Sequence, residues 1–91
     1  MNLDPLAIEA NIKAKIVALA DMLGADAADL QSDEIIPATG LIDSAALLEL
    51  IAWFEAEYEF KIPADELTID NLGSLATMAA YLRRRKGLAT A

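Results

Sequence analysis

Apolar residues recur at steps of three and four in three stretches of this sequence, and this periodicity restricts the fold more than any other feature. The stretches hold Ile8, Ile12, Ile16, Leu19 and Leu23, then Leu47, Leu50, Ile51, Phe54 and Tyr58, and finally Leu75, Met78, Ala79 and Leu82. Such steps place side chains on one face of an α-helix. No segment shows the alternation of a half-buried strand. The sequence therefore predicts an all-α fold in which three amphipathic helices enclose one core.

The limits of the first two helices are predicted from their flanking residues. Asp4 before Pro5 reads as an N-cap followed by proline at the first helical position, and Gly24 as a stop. The first helix is thus predicted over residues 5–23. The second is predicted over residues 44–59, after a loop that contains another glycine and a proline.

The C-terminal third predicts one short and one long helix. Residues 63–67 start with a proline and suit a short helical turn. Ser74 is a reasonable N-cap for the last helix, and Gly87 is its predicted end. The basic residues 83–86 then lie in the final turn, where positive charge suits the helix dipole. Residues 88–91 are expected to fray.

Residues 24–43 lack a sustained periodicity and are predicted to form one long loop. A loop of about 20 residues is unusual in a small domain and is often functional. Its apolar residues are expected to lie beneath it, as part of the core; these are Leu30, Ile35, Ile36, Leu41 and Ile42. The predicted architecture is a four-helix bundle with three long helices, one short helix and a long first loop.

Length and composition limit the classes of function. A chain of 91 residues predicts a single domain over residues 1–91, with an ordered core at about residues 5–86. Histidine and cysteine are both absent, so the chain offers no Ser-His or Cys-His nucleophile pair, no disulfide and no expected metal site. The absence of cysteine fits a cytoplasmic protein. Neither a signal peptide nor a membrane span is indicated.

The charge distribution indicates the kind of partner. The formal net charge is −8, and residues 1–82 carry fifteen acidic side chains against three lysines. Such a surface repels nucleic acid and anionic lipid and attracts a basic protein partner. The alternative is that the acidic residues only confer solubility.

Ser44 is the residue on which the chemistry of this chain depends. It follows Asp43 and opens the second predicted helix, so its hydroxyl is expected to be exposed at a helix N-terminus. Asp and Ser are also ordinary N-cap residues, worth about 1 kcal/mol of helix stability. Since no catalytic partner is available in the chain, we expect no enzyme here and read Ser44 as a point of attachment.

The residues from 40 to 58 resemble the acyl carrier protein family, which includes peptidyl, D-alanyl and aminoacyl carriers. The matching residues are Gly40, Asp43, Ser44, Leu48, Glu49 and Leu50, followed by Glu55, Glu57 and Tyr58, and then by Ile62, Pro63, Asp65 and Glu66. The resemblance covers roughly residues 5–84, and the order of the helices agrees with it.

The resemblance implies a cofactor and three partners. Ser44 would be esterified by 4′-phosphopantetheine, which a separate phosphopantetheinyl transferase takes from coenzyme A. Asp43 would help to hold the magnesium ion of the transferase complex. An acyl- or aminoacyl-activating ligase would load the thiol of the arm, and an acceptor acyltransferase or synthase would receive the acyl group. We expect the carrier itself to be a monomer.

The second helix departs from the family pattern at its start. Ala45 stands where a large aliphatic residue is usual, and Ala46 where an acidic residue is common. At 100° per residue, the outward side of this helix carries Ala45, Ala46, Glu49, Ala52, Trp53, Ala56 and Glu57. The residues expected to bind partners are Ala45, Leu48, Glu49, Ala52, Trp53, Ala56 and Glu57. We interpret this alanine-rich face as a fit to dedicated partners. Alternatively, alanine is simply a good helix former and Trp53 fills a groove against another helix.

The cargo is left open by the sequence. Two residues separate Gly40 from Asp43, a spacing found in D-alanyl and aminoacyl carriers as much as in fatty-acid carriers. We favour a specialised acyl carrier over an aminoacyl carrier. A carrier-like helical bundle that binds partners and is never modified is the competing hypothesis.

Overall fold

The computed structural model describes residues 2–88, and every regular element among them is helical. In chain order these are helix α1 at Pro5–Met22, helix α2 at Ile36–Thr39, helix α3 at Ser44–Glu57, a 3-10 turn at Ala64–Glu66, helix α4 at Ile69–Leu72 and helix α5 at Leu75–Arg85. The predicted all-α bundle of three long helices is confirmed. The short turn predicted at 63–67 is also present, and α2 and α4 are two short helices that were not predicted.

The predicted caps of the first and last helices are confirmed. The Asp4 carboxylate accepts hydrogen bonds from the backbone N–H groups of Leu6 and Ala7, at 3.1 and 3.2 Å. Ser74 and Thr77 form a capping box in which each side chain accepts a hydrogen bond from the backbone of the other. These caps satisfy first-turn N–H groups that have no partner within their own helix.

The C-terminal ends of the helices differ slightly from the prediction. The helix α1 ends at Met22, so Leu23, which was expected on its core face, is exposed. The helix α3 ends at Glu57 rather than at Glu59, because Glu59 has a left-handed backbone with φ of 55° that interrupts the helix. Of residues 88–91, where fraying was predicted, residues 89–91 lie outside the described part of the chain.

The segment predicted as one long loop contains α2. Its first residue, Ile36, donates its backbone N–H to the carbonyl of Gly73 at 2.7 Å. The backbone N–H of Ala76 donates in turn to the carbonyl of Ser32 at 3.0 Å. A four-residue helix has too little periodicity of its own to be recognised, and these contacts to distant residues hold it in place.

Most of the apolar loop residues lie where they were expected. Leu30, Ile36 and Ile42 are buried, and Leu41 packs partly against the core. Ile35 is exposed, so the prediction for this residue was wrong. It lies just before α2, where Ile36 is the residue that turns into the core.

The core is built from one face of each long helix. Its fully buried members include Ile8, Ile12 and Ile16 of α1, Leu50 and Phe54 of α3, and Met78 and Leu82 of α5. The N-terminal half of α1 and the residues before it contact the C-terminal ends of the other two helices. Asn11 donates to the Tyr58 hydroxyl at 3.0 Å, and Arg83 donates to the carbonyl of Leu3. Ser44 lies at the opposite end of α3, about 20 Å away at 1.5 Å per residue.

Candidate functional site

Ser44 is the first residue of α3, and its side chain is exposed, as predicted. Asp43 is the N-cap, and its Oδ1 accepts a hydrogen bond from the backbone N–H of Ala46 at 2.8 Å. In the part of the chain that the structure describes, the N–H groups of Ser44 and Ala45 have no acceptor. Open N–H groups at the positive end of a helix dipole favour an anion such as a phosphate.

A tight turn at residues 39–41 precedes the start of α3. The Thr39 hydroxyl donates to the carbonyl of Ile36 at 2.6 Å and accepts from the N–H of Leu41 at 3.2 Å. Gly40 lies between them with φ of 70°, a conformation that side-chain-bearing residues rarely adopt. A Cβ at Gly40 would meet no atom within 4 Å, so its backbone angle, rather than lack of space, calls for glycine here.

The three serines of the chain differ in what their hydroxyls do. Ser74 is 2% exposed and caps α5, and the Ser32 hydroxyl donates to the carboxylate of Glu9. No hydrogen bond among residues 2–88 involves the Ser44 hydroxyl. Ser44 therefore combines exposure, a free hydroxyl and a position at a capped helix N-terminus.

The outward face of α3 is largely as the sequence indicated. Six of the seven residues expected to bind partners are exposed: Ala45, Leu48, Glu49, Ala52, Ala56 and Glu57. Leu48 is 67% exposed, which is unusual for so large an apolar side chain. Trp53 is half-buried, and its ring lies 6.5 Å from that of Phe54 and 6.4 Å from that of Tyr58. The indole of Trp53 therefore packs partly against the core.

The structure shows two other features of α3 that the sequence did not indicate. Ala46, which the helical projection placed on the outward side, is buried beside the row of Leu50 and Phe54. The core face of α3 is thus turned toward Ala46, and Leu47 and Ile51 of the predicted core stripe are only half-buried. This rotation leaves both of those side chains accessible at the edge of the helix.

An apolar groove of about 120 Å³ lies between α3 and the segment around α4. We call it the α3–α4 groove; it is lined by Pro37, Leu47, Ile51, Leu67, Thr68, Ile69, Leu72 and Gly73. Leu47 lies one helical turn from Ser44, on the same side of α3. Sequence reasoning missed this groove, although Leu67 and Ile69 are conspicuous apolar residues in a polar stretch.

The carboxylates near the end of α3 are engaged within the protein. Glu55 accepts the backbone N–H of Ile62 at 2.7 Å, and Glu57 accepts the side-chain amide of Asn11 at 3.1 Å. Glu49 takes part in no ion pair or hydrogen bond among residues 2–88. Of the three acidic residues considered for docking, Glu49 is therefore the one whose charge is most available to a partner.

Within residues 2–88, no three or more acidic side chains converge as ligands for a metal ion. None of the helices in this range has both the length and the apolar character needed to cross a membrane.

A helical bundle that exposes a free serine hydroxyl at a capped helix start is compatible with the class of proteins that carry a serine-linked prosthetic group. The family model described as phosphopantetheine attachment site matches residues 16–82, which is more than half of the chain. The chain belongs to this family. In the other two comparisons, no curated protein and no solved structure gives a significant match.

Membership confirms the resemblance to acyl carrier proteins without resolving the subtype. The family carries covalently attached 4′-phosphopantetheine, so the chain has a phosphopantetheine-carrier role. The residues at the start of α3 fit this group. The open N–H groups of Ser44 and Ala45 suit its phosphate, and the exposed hydroxyl suits a phosphodiester link.

Proposed function

We propose that this protein carries an acyl group as a thioester on 4′-phosphopantetheine attached to Ser44, and presents it to partner enzymes. The observation that carries the proposal is the exposed and unbonded Ser44 hydroxyl at the capped start of α3. When bound, the group supplies a thiol on a flexible arm, which the chain itself lacks because it has no cysteine. Packing of the three long helices around one core supports a single carrier domain.

The chain's own part in the modification is to supply and orient an oxygen. The Ser44 oxygen bonds to the phosphorus next to the pantetheine of coenzyme A, and the pyrophosphate bond breaks. Adenosine 3′,5′-bisphosphate then leaves, and the hydroxyl proton passes to the transferase. No histidine exists in the chain to accept that proton, so we propose that all catalysis resides in the partner.

The α3–α4 groove supports an acyl cargo over an aminoacyl one. Its lining is mostly aliphatic, and Leu47, one of the lining residues, lies one helical turn from Ser44. An apolar chain gains from leaving water in such a groove, whereas a charged amino group would lose hydration. An aminoacyl or D-alanyl cargo is the alternative, for which the exposed surface around Ser44 would suffice.

Intact mass tests the proposed function. The purified protein is incubated with coenzyme A, magnesium and a broad-specificity phosphopantetheinyl transferase. We expect the mass to increase by one phosphopantetheinyl group per chain. If competent transferases consistently leave the protein unchanged, the chain is an unmodified interaction module. If the protein is modified, the mass of the protein isolated from its native cell would identify the cargo.

Replacing Asp43 with alanine is expected to slow the modification of Ser44 by about ten- to hundredfold, the scale of a lost metal contact. We propose that the Asp43 carboxylate contributes to the magnesium site of the transferase complex while its Oδ1 caps α3. The measurement is the initial rate of mass increase at saturating coenzyme A.

Asp4 provides a matched control for that experiment, because it caps α1 in the same way. Asp4→Ala and Asp43→Ala are each expected to lower the free energy of unfolding by about 1 kcal/mol. Only Asp43→Ala should slow the modification. Equal rates in the two variants would show that Asp43 acts as a helix cap and nothing more.

We propose that three partners use this carrier: a phosphopantetheinyl transferase, an acyl-activating ligase and an acceptor acyltransferase or synthase. Their docking surface would be the outward face of α3, where Leu48 offers an apolar contact and Glu49 a free charge. A basic partner would be attracted by the net charge of −8, mainly through a faster encounter. We further propose that the carrier acts as a monomer in the cytoplasm.

Replacing Ala52 with arginine is expected to abolish loading by the ligase that serves this carrier. Ala52 is exposed at the centre of the outward face, and arginine would introduce both bulk and a charge that repels a basic partner. Loading is followed as acyl-dependent mass increase of the phosphopantetheinylated protein. Ala18→Arg on the exposed side of α1 makes the same change elsewhere and should load normally. Normal loading of Ala52→Arg would end the hypothesis of a close-fitting alanine-rich surface.

A further inference from the structure

Residues 67–72 form one side of the α3–α4 groove, which we call the wall. The wall is attached to the rest of the protein at its two ends. At the C-terminal end, Gly73 accepts the backbone N–H of Ile36. A Cβ on Gly73 would lie 2.7 Å from Cγ2 of Ile69 and closer still to the Ile69 carbonyl oxygen, so the end of α4 leaves no room for a side chain at this position. At the N-terminal end, the attachment is made by Glu66, at the end of the 3-10 turn.

Glu66 is held by two residues of α5, and we call the three the Glu66–Tyr81–Arg85 cluster. The Tyr81 hydroxyl donates to Oε1 of Glu66 at 2.5 Å and accepts from Arg85 at 2.7 Å. Arg85 also forms an ion pair with Glu66 at 3.5 Å, which is the one ion pair found among residues 2–88. The side chain of Asn71 in α4 donates to the Glu66 carbonyl at 3.0 Å, so α4 is tied to the same point.

The phenol of Tyr81 is suited to this role over a wide range of pH. Burial raises the pKa of Tyr81, and the hydrogen bond to Glu66 raises it further, against the opposing effect of Arg85. The hydroxyl therefore keeps the proton that it donates to Glu66.

Between its two attachments, the wall is weakly buried. Leu67 is 44% exposed and Ile69 is 59% exposed, and only Leu72 of α4 is buried. Segments with few buried contacts open at low free-energy cost. The facing side of the groove is formed by Leu47 and Ile51 of α3, a helix of 14 residues that the fully buried Leu50 and Phe54 anchor in the core. Enlargement of the groove thus requires the wall to move.

The groove in its present form is small. Its volume of about 120 Å³ is that of roughly four water molecules in the liquid. A butanoyl chain approaches this size, whereas an octanoyl or dodecanoyl chain exceeds it. A longer chain would either stay in solvent or displace the wall.

We propose that the Glu66–Tyr81–Arg85 cluster is a specificity determinant that holds the groove wall in place and thereby limits the protein to sheltering short acyl chains. This inference rests on the proposed function, in which Ser44 bears the acyl arm. The three residues act as positioning residues, because they touch the wall and not the cargo.

The first test uses the unmodified protein and needs no cargo. In Tyr81→Phe, amide hydrogen exchange across residues 67–72 is expected to become roughly three- to tenfold faster, the factor that corresponds to one hydrogen bond. Tyr58→Phe is the matched control, because Tyr58 is the other tyrosine of the chain and its buried hydroxyl bonds to Asn11 of α1 instead. Glu66→Gln serves as a second variant should Tyr81→Phe fold poorly. Equal exchange in this segment for the cluster variants and Tyr58→Phe overturns the inference.

The second test measures directly how strongly the protein protects a bound thioester from cleavage. Butanoyl, octanoyl and dodecanoyl thioesters are formed on the modified protein, and their cleavage by hydroxylamine is compared with that of the same thioesters of free pantetheine. In the native protein we expect protection of butanoyl alone. In Tyr81→Phe, but not in Tyr58→Phe, protection should extend to octanoyl by about threefold or more.

The outcomes separate this inference from the proposed function. A protein that is never modified contradicts the proposed function. A modified protein that shelters dodecanoyl as well as butanoyl, or whose octanoyl protection is equal in Tyr81→Phe and Tyr58→Phe, contradicts the role of the cluster alone.

Discussion

Replacing Ser44 with alanine is expected to leave the protein wholly unmodified after incubation with coenzyme A, magnesium and transferase. The substitution removes one oxygen, and with it the proposed attachment point. Because Ser44 is exposed and Asp43 supplies the cap of α3, the fold should be unaffected. The free energy of unfolding should change by no more than about 0.5 kcal/mol, as for most surface substitutions. Intact mass and circular dichroism measure the two effects.

Ser32→Ala is the appropriate control for this prediction. Ser32 is also exposed, but it lies in a loop and its hydroxyl is bonded to Glu9. This variant should accept one phosphopantetheinyl group at the native rate. Modification of Ser44→Ala would show that another side chain bears the cofactor, and the proposed site would have to be abandoned.

Replacing Phe54 with alanine is expected to produce the largest loss of stability. Phe54 is 0% exposed, and its ring packs edge-to-face with those of Tyr58 and Phe60 at centroid distances of 5.5 and 5.3 Å. Truncating a buried phenylalanine costs about 3–5 kcal/mol, and a small domain has only about 5–15 kcal/mol in total. We therefore expect a variant that is partly or wholly unfolded at room temperature.

Urea denaturation followed by tryptophan fluorescence is a direct measurement of this effect. Trp53 is the only tryptophan, and it stacks on Phe54, so its emission reports on the same part of the core. Leu48→Ala on the exposed side of the same helix should change the free energy of unfolding by about 0.5 kcal/mol or less. A Phe54→Ala variant as stable as Leu48→Ala would mean that this core is not packed as described.

The parts of the fold that were predicted from the sequence are those specified by nearby residues. Asp4 caps α1 and Ser74 caps α5 through bonds that span two or three residues, and the apolar periodicity of these helices is regular. The helices α2 and α4 have four residues each and depend on long-range bonds such as that between Ile36 and Gly73. Such bonds leave no local pattern in a sequence.

In the candidate site, too, the features that were predicted are those specified by nearby residues. Ser44 and Asp43 were predicted as site residues from a local motif, because a helix start is defined by a few consecutive residues. The orientation of α3 was misjudged at Ala46, since a small residue carries no signal of which face is buried. The bonds of Tyr81 to Glu66 and Asn11 to Tyr58 join residues far apart in the chain, and only the fold brings them together.

The contacts of Leu3 with Arg83 and of Glu59 with Lys86 place both ends of the described chain beside the C-terminal end of α3. Ser44 is at the other end of that helix, about 20 Å distant. An affinity tag, a fused protein or a surface linkage at either terminus should therefore leave the serine free. Immobilised carrier could be passed from one enzyme to the next, and each step of loading and unloading read out separately.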